Sequence, residues 1–263
     1  MWTTVLISVI VLNAIMALIH VLGPKGIILT WIPGRTLILI ASILHEDNLL
    51  QTLTYTWASG ILPVAFLIPM HMGVYLLGFK GRSPRFKCSW MWVVVWFITI
   101  ATLFGVVVLI GSTQSVALQL TIGIFAIFFN IFNMTDAPQH IQEERVELTA
   151  TYVIGTNIVI IGVLALIHIA IDRGEVVWAG ILSNIPLMAF ILIAGSSCSA
   201  TPQSLKMTAQ HIYMLSYQTW PNMAFVGTLW AALPLGVTTA CILASAVMVA
   251  TLIIQFIFIK QIL

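Results

Sequence analysis

The stretch Thr149–Ile171, TATYVIGTNIVIIGVLALIHIAI, runs for 23 residues without a charged side chain and is followed at once by Asp172-Arg173-Gly174-Glu175. At 1.5 Å rise per residue, a helix of that length reaches about 34 Å, enough to cross the roughly 30 Å hydrocarbon core of a bilayer. The same division recurs along the whole chain. Its ten Lys/Arg and eight Asp/Glu lie outside, or at the very ends of, long apolar segments. An ionisable group at the bilayer centre costs a few kcal/mol or more, so this sorting is what a polytopic membrane protein requires. Composition agrees: 60% of the residues are hydrophobic and 7% charged, against about 25% charged in a soluble domain.

Working outward, segments at about 2–22, 53–78, 89–111, 115–135, 149–171, 177–198 and 237–259 read as transmembrane helices, and a more polar one at 210–233 as another. The run from Met223 to Ile259 is too long for one span. Leu233-Pro234-Leu235-Gly236 divides it, because Pro removes a donor and Gly relaxes the backbone. The expected fold is all-α: a polytopic integral membrane helix bundle of about eight spans (seven to nine), one transmembrane domain over residues 1–263 with no soluble domain. Residues 26–44 are the exception. Pro33-Gly34-Arg35 separates two β-rich runs, Ile27–Ile32 and Thr36–Ile40, which predicts an apolar hairpin or re-entrant cap. Lipid offers backbone groups no partner, so this cap must pack on protein or sit at the interface. Met1–Leu22 lacks a basic leading region, and Gly23-Pro24-Lys25 does not resemble a cleavage site, which predicts a retained first helix.

Lys80, Arg82, Arg85 and Lys87 crowd one short loop, which places loop 79–88 in the cytoplasm. With eight spans both termini are cytoplasmic, and 23–52 forms an outer cap. If 26–44 crosses instead, the amino terminus moves outside; charge counting leaves both arrangements open.

The charge pattern also excludes chemistry. No Lys lies mid-span, so a retinal Schiff base has no anchor, and no mid-span Asp or Glu is available for a carboxylate-driven pump. Neither a Gly-x-Ser-x-Gly nor a phosphate-binding Gly-rich loop is present. Cys88, Cys198 and Cys241 share no CxxC spacing. Pro138-Gln139 and Pro202-Gln203 each close an apolar span, and the stretch after the second resembles the PQ-loop transporter pattern. Their spacing of 64 residues (202 minus 138) does not fit the three-helix repeat that pattern implies, and Pro-Gln at a helix end also reads as a stop signal.

Two sets of neutral polar residues remain. Asn130 and Asn133 share one helix face, Asn157 follows Gly155-Thr156, and Asn184 precedes Pro186. Amides at membrane depth must find partners, either as interhelical glue or as the lining of a pocket that replaces a solute's hydration shell. Histidine is the second set. His20 with His168 toward the outer side, or His71 with His211 toward the inner, would supply two axial ligands for a haem b, and Met70-His71-Met72 a copper site. Three functions follow as expectations. One is passage of a small neutral or polar solute through an Asn-lined pocket; another is a haem- or metal-binding redox subunit; the last is a non-catalytic structural subunit of a larger membrane complex. The expected partners are the lipid bilayer and other membrane subunits or a second copy of the chain, which Ala240, Ala244 and Ala250 would admit. Nothing points to nucleic acid.

Overall fold

The computed structural model describes residues 2–29, 49–61, 105, 106, 108, 115–133, 150–184, 214 and 216–262. Among these the chain is all-helical, without a strand. Helix α1 covers Trp2–Leu22 and α2 residues 49–61. Next come α3 (Val116–Asn133), α4 (Ala150–Asp172) and α5 (Val176–Asn184). Helices α6 (Thr219–Ala232) and α7 (Val237–Ile262) complete the order. Short 3-10 segments interrupt it: η1 at Gly23–Leu29, η2 at Ser216–Gln218 and η3 at Leu233–Leu235.

The described helices enclose a hydrophobic core and also expose many large apolar side chains. Large aliphatics face outward on α4 (Ile154, Ile158, Leu166) and on α7 (Ile242, Ile253, Ile257), while Thr56, Ser183, Thr219 and Asn222 are buried. Val153–Asp172 and Val237–Ile257 are long and apolar enough to cross a membrane. An apolar exterior of this kind is stable only against hydrocarbon or another apolar surface. Inside, Trp57 and Phe225 meet with ring centroids 5.6 Å apart, an inclined aromatic pair. Leu12, Leu53, Ile61, Ile167 and Leu229 pack in the same cluster.

Glycine fixes two of the connections. Helix α4 ends in a Schellman motif: Gly174, at φ 74°, donates to the Ile171 carbonyl at 2.9 Å, and Glu175 donates to Ala170 at 2.8 Å. The break anticipated in Leu233-Pro234-Leu235-Gly236 is present. Pro234 sits in η3, and Gly236 turns the chain at φ 98° before α7 begins. Helices α6 and α7 then pack along each other as an antiparallel hairpin.

The segment after α1 differs from expectation. Ile27, Ile28 and Leu29, read as the start of a β-rich run, are 3-10 helical. Gly23, at φ 61°, reverses the chain. A Cβ on Gly26 would lie only 2.6 Å from the Ile19 Cα, so the return packs backbone against backbone on α1. Ile28 and Leu29 are buried by this return. Close packing on an existing helix, rather than a strand partner, supplies the environment that the β-rich composition sought. The rest of the 26–44 cap lies outside the described residues.

Close contacts fix relative directions. Gly180 abuts Thr56 while Gly60 abuts Asn184, so α2 and α5 run parallel. Gly123 meets Met223 and Gly227 meets Leu120, so α3 and α6 run antiparallel.

Candidate functional site

Asn157 does not stand alone on α4. Its Nδ2 donates to Asn13 Oδ1 at 3.2 Å, and Asn13 Nδ2 donates to Asn157 Oδ1 at 3.0 Å, joining α1 to α4. Each amide also donates to the carbonyl four residues back on its own helix, Asn157 to Val153 at 2.9 Å and Asn13 to Val9 at 2.8 Å. The pair is therefore closed: every donor and acceptor it presents across the interface has a partner within it.

Asn184 serves a second interface. It is buried against Gly60 and donates to the Thr56 carbonyl at 3.3 Å. Beside it Trp57 Nε1 donates to Ser183 Oγ at 2.9 Å, and that hydroxyl donates to the Gly180 carbonyl at 2.8 Å. Asn157 and Asn184 thus each tie a different pair of helices. Asn130 and Asn133 lie on α3, with side chains outside the described set, and His71 and His211 lie outside the described residues.

His168 is 7% exposed, with Nε2 3.6 Å from Asp172 Oδ2 one turn further on, while its Nδ1 has no hydrogen-bond partner. His20 lies half-buried in the last turn of α1. Among the described residues no group of three or more His, Cys, Asp or Glu is placed to hold a metal ion.

Another polar cluster was not foreseen. It lies at the foot of α6, remote from the η3 turn. Gln255 on α7 donates from Nε2 to the Tyr217 carbonyl at 2.8 Å. Gln218, Thr219, Asn222 and Gln255 are all buried. Thr219 Oγ1, Asn222 Oδ1 and Gln255 Oε1 are, among the described residues, the buried side-chain oxygens without a hydrogen-bond partner. The amide pair and this cluster differ in one respect: the first is saturated and the second is not.

Two short stretches recur along the chain. Ala17-Leu18-Ile19-His20 on α1 recurs as Ala165-Leu166-Ile167-His168 on α4, followed at the same distance by Lys25-Gly26 and Arg173-Gly174. Trp57-Ala58-Ser59-Gly60-Ile61-Leu62, which begins on α2, recurs one residue shorter as Trp178-Ala179-Gly180-Ile181-Leu182 on α5. The helices that carry the copies touch, α1 on α4 and α2 on α5.

No family model matches the chain, and no curated protein or solved structure shows detectable similarity to it.

Proposed function

We propose that the chain is a polytopic membrane protein of about eight spans, built from two tandem four-helix halves, that passes a small neutral solute across the bilayer. The observation that carries this reading is the repeat on touching helices. Parallel repeats related by an axis along the membrane normal are a recurrent transporter architecture, with the solute site between them. The reading is supported by direction as well. Alternating spans with loop 79–88 in the cytoplasm make the α2 and α5 spans run the same way and the α3 and α6 spans opposite ways. The contacts of Gly60, Gly180, Gly123 and Gly227 agree with that alternation. Neutral polar side chains at the helix contacts, with every mid-span charge missing, suit an uncharged solute.

The test is permeability. Full-length protein in lipid vesicles is expected to raise the initial uptake of at least one of a panel of small polyols and amides above that of protein-free vesicles. Folded, reconstituted protein that admits none of them sinks the reading.

A second reading rests on His168, whose buried Nδ1 is unpartnered and whose repeat counterpart is His20. Imidazoles in this position would hold a haem or a single metal ion as axial ligands. Visible absorption and metal analysis of the purified protein decide it: a Soret band lost in His168→Ala is the expected signature, and a flat spectrum with no metal removes it.

A further inference from the structure

The 3-10 turn η2, Ser216–Gln218, leads directly into α6 at Thr219 and is touched by η1, the segment that returns along α1. Three unpartnered oxygens lie on or beside this start of α6: Thr219 and Asn222 in its first turn, and Gln255, whose amide bonds to Tyr217 of η2. Thr219 is fully buried, Asn222 is 5% exposed and Gln255 9% exposed. A buried acceptor without a partner loses free energy that a closed pair such as Asn13–Asn157 does not.

We infer that Thr219, Asn222 and Gln255 form the binding site for a neutral, hydrogen-bond-donating solute of the polyol or amide class, which rests on the transport reading above. The chemistry selects this class over a cation. Oδ1 and Oε1 only accept, so they call for a ligand that donates, and the Thr219 hydroxyl both donates and accepts. The site lies at the amino end of α6, where the helix dipole is positive and repels cations. Residues 23–29, 216–222 and 250–257 contain no Asp or Glu to offset that repulsion. Gln255 is held in place by its bond to the Tyr217 carbonyl, so its acceptor oxygen is fixed before any ligand arrives.

Uptake of labelled glycerol and of urea into vesicles carrying full-length protein tests the site. Thr219→Val and Asn222→Leu remove acceptors without charge, and each is expected to cut the initial rate on the order of tenfold. Thr219→Ser, which keeps the hydroxyl, is expected to recover most of the rate that Thr219→Val loses, at matched amounts of folded protein. The melting temperatures of the Val and Leu variants are expected to equal or exceed that of the wild type, because they remove unpaired buried oxygens. If the wild type takes up either solute and both apolar variants match it, the site is wrong and the transport reading stands. If the folded wild type takes up neither of these nor any other member of the polyol and amide panel, both fail. A sodium- or potassium-dependent rise in melting temperature that the variants lose overturns the choice of a neutral ligand.

Discussion

The α1–α4 contact and the foot of α6 contain the same kinds of side chain but leave them in opposite states. Asn13 and Asn157 satisfy each other and their own helices. Thr219, Asn222 and Gln255 are at least as buried, yet each keeps an oxygen without a partner. An apolar surrounding makes an unmade hydrogen bond costly, and the Asn13–Asn157 pair leaves none unmade. Buried polarity is therefore not by itself the mark of a site; incomplete satisfaction is the feature that sets the second place apart.

The largest effect should come from the interface that is closed by sterics as well as by hydrogen bonds. A side chain on Gly180 would drive into Thr56. Gly180→Val is expected to destabilise the protein by about 3 kcal/mol through overpacking, read by unfolding titration in detergent micelles. Near-native stability would mean that α2 and α5 are free to separate, and that the repeat contacts do not hold the halves together. Next in size is Ser183→Ala, which removes the acceptor of the buried Trp57 Nε1–H. A loss of about 1–3 kcal/mol is expected, with a shift in Trp fluorescence from Trp57.

The amide pair sharpens the comparison at smaller magnitude. Asn13→Leu and Asn157→Leu should each destabilise by about 0.6–2 kcal/mol, since polar contacts between membrane helices are individually modest. The double variant should cost less than the sum of the two, because neither amide is then left half-paired. Strict additivity in that cycle would show that the two side chains act independently, and the account of a closed pair would fall.

Much of the helical layout was legible in the sequence because it rests on one-dimensional signals. The charge boundary at Asp172 coincides with the end of α4, and Leu233-Pro234-Leu235-Gly236 turns the chain where Pro and Gly predict. What was not legible depends on partners. Ile27-Ile28-Leu29 has strand composition, but Gly23 and Gly26 fold it back on Ile19 as a 3-10 helix. Asn13 resembles any polar residue in an apolar run until α4 brings Asn157 to it. Nor can hydropathy separate Thr219 or Asn222, which stay unpaired, from Thr54, whose hydroxyl donates to the Leu50 carbonyl at 2.7 Å. Satisfaction is a property of three-dimensional neighbours, which no one-dimensional signal here specifies.

The smallest expected effect is the most discriminating. If the foot of α6 were another structural contact, Asn222→Leu would cost as much as a single variant of the Asn13–Asn157 pair. If its oxygens await a ligand, the ligand-free protein loses nothing when they are removed. Replacing an unsatisfied buried acceptor by an apolar group of similar shape is near neutral or stabilising. Thr219→Val and Asn222→Leu are thus expected to change ligand-free stability by no more than about 0.5 kcal/mol, or to raise it. The same unfolding titration used for Asn157→Leu measures both, in the same detergent and at the same protein concentration. Equal losses at the two places would erase the distinction between a closed and an open polar cluster, and with it the reason for locating a solute site at the foot of α6.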